Sequence, residues 1–227
     1  MAFTFTEKEM DILKNFAITN PSMVITNEQF KVMTNSKSVV GKYVFEKAYD
    51  FEDFGIYDVP NFISALDTLN KPTIEVSDKF LTIKDANYKF KYLTTATDLL
   101  PKVPNVNEEK ITEGTELDFD ISNEKVNVIL KTANILKADS VFFETDKKKI
   151  RITVANKLEA SDNLFEIMIE DGIRVNKLSQ PVKLNVSEFK LYPGDYKVKI
   201  AKKISMWENV LLDLKYYIGL KAKSNED

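Results

Sequence analysis

Apolar residues recur every three to four positions in two long stretches of this chain, and in most other places they alternate with polar ones or gather in short runs. The first helical stretch runs from Glu7 to about Ile18, with Ile12, Leu13, Phe16 and Ala17 on its buried side and Glu7, Lys8, Asp11, Lys14 and Asn15 on its polar side. Its start is well marked. Thr6 can cap, Glu9 follows three residues on, and Phe5 and Met10 are placed to close a hydrophobic staple. Asn20-Pro21 ends it, because a residue before proline is pushed out of the α region. The second stretch, Asn123 to Ala138, carries Val126, Ile129, Leu130, Ala133 and Leu136 as its apolar stripe. Asn127, Lys131, Asn134 and Ala138 fall opposite, flanked by Lys125 and Lys137, and after Glu124 this helix has no acidic residue.

Between and after these helices the composition is that of strands: Ser22–Thr26, Gln29–Thr34, Ser38–Ala48 and Phe51–Tyr57, then Thr73–Ser77, Phe80–Asp85 and Tyr88–Thr94. A short helix from Val59 to Leu69 separates the two groups, with Asp58 as its N-cap and Pro60 in its first turn. Residues 99–113 contain two prolines and no clean period, and they read as a linker between a domain of residues 1–104 and one of residues 105–227. In the second domain the strands are Glu116–Ile121, a hairpin of Ser140–Thr145 and Lys149–Ala155, then Asn163–Glu170 and Pro181–Asn185. A short helix, Val186–Leu191, is capped by Asn185, and the closing strands are Tyr196–Lys203 and Val210–Lys221. Trp207 falls in the turn between the closing strands, where it is either a contact point or a lid on the sheet edge.

The two halves follow one plan. Glu7-Lys8 and Ile12-Leu13-Lys14 recur 117 residues later as Glu124-Lys125 and Ile129-Leu130-Lys131. Asp58-Val59-x-x-Phe62 recurs as Asn185-Val186-x-x-Phe189. Two matches in the same order point to a duplicated α+β unit with a long helix in equivalent positions. If the sheets lie outside and the helices inside, a ring of such units presents its helices to a central hole, closed by edge strands that pair between subunits.

The chain has no cysteine and no histidine, which removes disulfides, thiolate zinc sites and every His-based triad. Acidic neighbours such as Glu52-Asp53 and Glu170-Asp171 would point to opposite faces of a strand, and no phosphate-binding glycine motif or nucleophile elbow occurs. The expectation is a non-enzymatic protein without cofactor or metal. No run is long enough to span a membrane and no signal peptide is recognisable, so the cytosol is the default compartment. A net charge of −3 leaves two options: no dealings with nucleic acid, or basic residues segregated onto one surface.

At Ile12-Leu13-Lys14-Asn15-Phe16-Ala17, Gly55-Ile56-Tyr57-Asp58, Ile129-Leu130-Lys131 and Pro193-Gly194-Asp195-Tyr196-Lys197, the chain resembles the sliding clamps, the DNA polymerase processivity factors of large tailed phages. Each motif is short, but their order and spacing cover nearly the whole length. The resemblance implies a duplicated DNA-clamp fold and a homotrimeric ring of two-domain subunits around double-stranded DNA. It implies an ATP-dependent clamp loader and the replicative DNA polymerase as partners, in the cytoplasm of the infected cell.

On that reading the DNA-facing residues are Lys14, Lys125, Lys131 and Lys137, with Lys8, Lys71 and Lys190 next, although Glu7 and Asp11 share the first helix's polar face. The resemblance also implies a hydrophobic pocket for partner peptides near the linker. Its candidates are Leu99, Leu100, Val103 and Ile111, joined by Tyr216, Tyr217 and Ile218 of the last strand. For the subunit interface it points to Tyr88, Lys89, Phe90 and Lys91 meeting Leu164, Glu166, Met168 and Glu170 of a neighbour. The rival reading is a β-rich oligomeric structural protein of a phage, with no role on DNA and with its lysines merely solvated.

Overall fold

The computed structural model describes residues 2–146, 149–158, 163–170, 174–175 and 181–220. The chain divides into two compact units, Met1–Pro104 and Asn105–Asp227. In the first unit β1 (Ala2–Phe3) leads into α1 (Glu7–Thr19), followed by β2 (Met23–Ile25), β3 (Gln29–Met33), β4 (Val39–Val44) and β5 (Phe54–Ile56). Then come α2 (Val59–Asp67), β6 (Thr73–Ser77), β7 (Phe80–Lys84) and β8 (Lys89–Leu93). The strands pair antiparallel in the orders β1-β6-β7-β8 and β4-β3-β2-β5.

The second unit opens with α3 (Glu108–Glu113), β9 (Thr115–Ile121) and α4 (Asn123–Leu136). Next are β10 (Ser140–Asp146), β11 (Lys149–Ala155), β12 (Phe165–Ile169), β13 (Arg174–Val175) and β14 (Val182–Asn185). It ends with β15 (Tyr196–Ala201), β16 (Ile204–Asn209) and β17 (Leu214–Gly219). Here the antiparallel orders are β9-β15-β16-β17, with β13 added outside β9, and β12-β11-β10-β14. Strand for strand these orders repeat those of the first unit: β9 stands for β1, α4 for α1, β10 to β12 for β2 to β4, β14 for β5, and β15 to β17 for β6 to β8. The duplication read from short sequence matches is therefore a duplication of topology.

Local chemistry explains the helices. Thr6 accepts the Glu9 N–H and the Glu9 carboxylate accepts the Thr6 N–H at 2.7 Å, a complete capping box at the start of α1. The helix buries Ile12, Leu13 and Phe16 and packs on β3, β4 and α2. Gly41 of β4 makes that packing possible, since a Cβ there would come within 3.0 Å of Phe16 Cε1. Asp58 caps α2 through the Asn61 N–H at 3.0 Å, with Pro60 in the first turn. The start of α4 is held twice. Ser122 caps it, and Asn123 exchanges bonds with the Pro193-Gly194-Asp195 turn: its N–H donates to Asp195 Oδ1 at 2.7 Å and its Oδ1 accepts the Gly194 N–H at 3.0 Å.

Several expectations are corrected. Trp207 is not in a turn. It lies inside β16, fully buried, with Phe189 edge-on at 4.8 Å between ring centroids and its indole N–H donating to Ser205 Oγ at 2.9 Å. The stretch expected to give two closing strands forms three, because Asn209 folds the chain back by accepting the Leu211 and Leu212 N–H groups. The helix expected over Val186–Leu191 is one 3₁₀ turn, Val186–Glu188, and Asn185 makes no side-chain cap to it. The linker, read as irregular, contains a 3₁₀ turn at Thr97–Leu99 and the short helix α3, capped by Asn107. Ala138 is expected on the polar side of the second long helix. It lies beyond the helix end and is buried, because Lys137 takes a left-handed conformation (φ 53°, ψ 35°) that turns the chain inward.

Candidate functional site

Opposite its buried stripe, each long helix exposes one row of side chains at helical spacing. On α1 the row is Glu7, Asp11, Lys14 and Ile18; on α4 it is Glu124, Val128, Lys131 and Ile135. The two rows are 117 residues apart at every position, and three of the four pairs are identical. Ile18 and Ile135 are 64% and 79% exposed, so neither is retained for packing inside its own unit.

The expected DNA-facing lysines differ in their surroundings. Lys8 pairs with Glu46 at 2.9 Å, and Lys14 pairs with Asp67, at the end of α2, at 3.0 Å. Lys71 is exposed in a left-handed conformation (φ 50°), and it lines a groove of the first unit together with Glu7, Asp11, Lys14 and Asp67. On the second unit Lys125, Lys131, Lys137 and Lys190 are all exposed. Lys125 stands near enough to Glu170 to help hold that carboxylate below its ordinary pKa, after the larger effect of the Lys149 ammonium bonded to it. Lys131 and Lys137 make no ion pair among the described residues.

The proposed interface residues lie on two edge strands. β8 ends the order β1-β6-β7-β8, and it exposes Lys89, Phe90, Lys91 and Leu93, with Tyr88 exposed just before it. Its hairpin is set by Asp85, whose Oδ1 accepts the Asn87 and Tyr88 N–H groups while Oδ2 accepts that of Asn70. These bonds hold the Asp85 carboxyl below the usual carboxylate range. β12 ends the order β12-β11-β10-β14; Glu166 and Glu170 are exposed, as is Leu164, while Met168 is half-buried. Glu166 and Glu170 are engaged within the chain by Arg151 and Lys149, so a charge match with Lys89 and Lys91 of a neighbour would have to compete with those pairs.

The residues proposed for a partner-peptide pocket fall into two groups. Leu99 is exposed and Val103 half-buried. Leu100, Ile111, Tyr216, Tyr217 and Ile218 are buried. Sequence reasoning missed Glu108 of α3, whose carboxylate binds the Lys215 ammonium at 2.7 Å and the Tyr217 hydroxyl at 2.5 Å, fastening α3 to β17. A glutamate just after the Asn107 cap gave no signal of a partner more than a hundred residues away. Among the described residues no group of three or more carboxylates converges as a metal site, and no helix is long and apolar enough to cross a membrane.

The strand orders and the paired helices define the class: this is the DNA clamp fold, built twice. The chain superimposes on the β subunit of DNA polymerase III from Pseudomonas aeruginosa with a TM-score of 0.69 at 13% identity, covering 100% of this chain and 66% of that one. It superimposes on the structure of A. fulgidus PCNA bound to the C-terminal region of FEN-1 with a TM-score of 0.68 at 14% identity, covering 99% and 98%. No protein-family model matches the chain. In sequence it is 25% identical over 224 residues to the sliding clamp of Vibrio phage KVP40, covering 94% of this chain and 96% of the relative. The full-length match to a phage sliding clamp and the clamp fold together support a processivity-factor role.

Proposed function

We propose that three copies of this chain close head to tail into a ring around double-stranded DNA, and that the ring, placed by an ATP-dependent loader, tethers the replicative polymerase in the infected cell. The observation that carries this reading is the doubled clamp topology in a chain that spans 98% of a PCNA chain but only 66% of a bacterial β subunit. A closed ring with two units per subunit needs one repeated head-to-tail interface. The free edges of β8 and β12 offer it, with exposed Tyr88, Phe90 and Leu93 on one side and Leu164 on the other.

The role asks for topology rather than a catalytic group. A ring cannot leave the duplex sideways, so its phosphate contacts can be few, which suits a chain of net charge −3. Lys125, Lys131 and Lys137 of the second unit are the first choice for those contacts, and Leu99 and Val103 are the accessible apolar residues beside which a partner peptide would dock. Tethering raises the polymerase's local concentration at the primer end without any new active-site contact.

The test has two parts. Light scattering on a sizing column should give a species of about 78 kDa, three times the 26.0 kDa chain. Primer extension with loader and ATP should then give longer products per binding event when the protein is added. A monomer at all concentrations, or a trimer that leaves product length unchanged, overturns the proposal; the second outcome favours a structural protein.

A further inference from the structure

The two exposed helix rows share Glu7/Glu124, Lys14/Lys131 and Ile18/Ile135, and they differ at Asp11/Val128. That difference lies beside a second one. Asp67, which pairs with Lys14 at 3.0 Å, stands 127 residues before Gly194, the same offset that relates Asp58 to Asn185 and Phe62 to Phe189. Both carboxylates nearest Lys14 are thus replaced in the second unit by residues without charge. The first unit's groove of about 540 Å³ collects Glu7, Asp11 and Asp67 against Lys14 and Lys71, a net negative surface. Around α4, Lys125, Lys131 and Lys137 face a single Glu124 on the helix itself, with Glu170 of β12 close to Lys125. Asp195 is held at the helix start by the Asn123 N–H, about 12 Å along the axis from Lys131.

We infer that the second unit alone grips the phosphate backbone, and that Asp67 and Asp11 mute the equivalent lysine of the first unit. The inference rests on the ring reading above. Around a ring of three chains the duplex then meets alternately gripping and muted helices, three of each. The occupant is the sugar-phosphate backbone of double-stranded DNA, chosen by charge complementarity: three exposed lysines around α4 against a surface of net negative charge around α1. Phosphate affinity follows the number of cations left free to displace counterions, and Lys14 beside Asp67 already has its counterion built in. Halving the grip in this way lowers the barrier to sliding while the closed ring prevents loss.

The experiment reads the slope of log affinity against log salt for the full-length protein on a fluorescein-labelled linear duplex, by anisotropy, at protein concentrations where light scattering shows the trimer. Each phosphate contact contributes about −0.9 to that slope. Lys131→Gln, lost three times per ring, should make it shallower by about 2.7. Asp67→Asn, which frees Lys14, should make it steeper by up to about the same amount, and Asp11→Asn should act in the same direction. The double variant Asp67→Asn/Lys14→Gln should return to the wild-type slope. The inference is overturned if Asp67→Asn leaves the slope unchanged, or if the double variant keeps the gain, which would place the new phosphate contact on a group other than Lys14. A wild-type protein that forms no trimer overturns the ring reading, and this inference with it. A trimer with an unresponsive Asp67→Asn overturns the inference only.

Discussion

The Tyr49 hydroxyl donates to Glu9 Oε2 at 2.6 Å, and the same carboxylate oxygen accepts the Thr6 N–H at 2.7 Å. Glu9 is 4% exposed, so one buried carboxylate both completes the cap of α1 and anchors residue 49 beneath the aromatic cluster of Phe3, Phe5, Phe45 and Phe51. Tyr49→Phe keeps the ring packing and removes the donor to a charged acceptor. It should cost about 1.5–3 kcal/mol. The check is urea unfolding, where the midpoint should fall with the slope unchanged.

Alkaline pH should destabilise the protein through its buried phenols. Burial and then the Glu9 carboxylate push the Tyr49 hydroxyl above its ordinary value; burial and then Glu108 do the same for Tyr217, and burial is the main cause at Tyr196 and Tyr216. A folded-state pKa raised above the unfolded one contributes stability that is whole below about pH 10 and is lost as pH climbs towards the folded value. Phenolate absorbance should therefore rise in two stages in the native protein, with these four tyrosines ionising only on unfolding. In denaturant all nine should titrate together near their ordinary value. A single native transition there would contradict the burial.

Ser205 Oγ accepts the Trp207 indole N–H at 2.9 Å and donates to the Ile218 carbonyl at 3.3 Å, tying β16 to β17 in the core of the second unit. Ser205→Ala strands a buried N–H. The expected cost is about 1–3 kcal/mol. Trp207 is the only tryptophan, so its fluorescence reports the second unit's unfolding directly. Its native emission should be blue-shifted and resistant to iodide, as befits a fully buried indole.

How far the sequence could be read depended on whether a signal was local. The α1 cap was legible because Thr6, Glu9 and the apolar spacing lie within one helix, and the long α4 was legible for the same reason. Trp207 was misplaced because Asn209, two residues on, looks like the turn of a hairpin centred on the tryptophan, when it begins a turn that follows it. The helix expected after Asn185 shrinks to one 3₁₀ turn because Asn185 makes no side-chain cap, and Gly194 stands where, at the offset of 127 residues, α2 has its last residue. The charge of the candidate surface was legible only in part: Glu7 and Asp11 stand on the first helix's polar face in the sequence, but the Asp67 pair does not show there. Lys14 and Lys131 look alike in the chain, and only the fold brings Asp67 to one of them.

The exposed apolar side chains of β8 should be dispensable to their own unit and indispensable to the ring. Phe90 and Leu93 are exposed, so Phe90→Asp/Leu93→Asp removes no core contact while placing two carboxylates on the proposed interface. Unfolding midpoints should stay near the wild-type value. The trimer should weaken by roughly 30-fold or more in dissociation constant, about 2 kcal/mol, as for the loss of a central interface residue. Light scattering across a dilution series checks it; an unchanged trimer would remove β8 from the interface.

Lys137 couples stability to function in a way one substitution can expose. It ends α4 at φ 53°, in the left-handed region that glycine fills without strain, and it is exposed and one of the lysines proposed to face DNA. A side chain in that conformation costs about 1–2 kcal/mol, and the extra unfolded-state freedom of glycine offsets part of any gain from relieving it. Lys137→Gly should therefore stabilise the second unit by up to about 1 kcal/mol, read as a higher midpoint of the Trp207 fluorescence transition. The same variant should make the salt slope of duplex binding shallower by about 2.7 per trimer. A gain in stability with an unchanged slope would take Lys137 off the DNA-facing surface. Loss of both would mean that the ammonium group is needed to hold the helix end. A stabler protein with weaker salt dependence would show that the strain at this helix end is kept for the charge it places there.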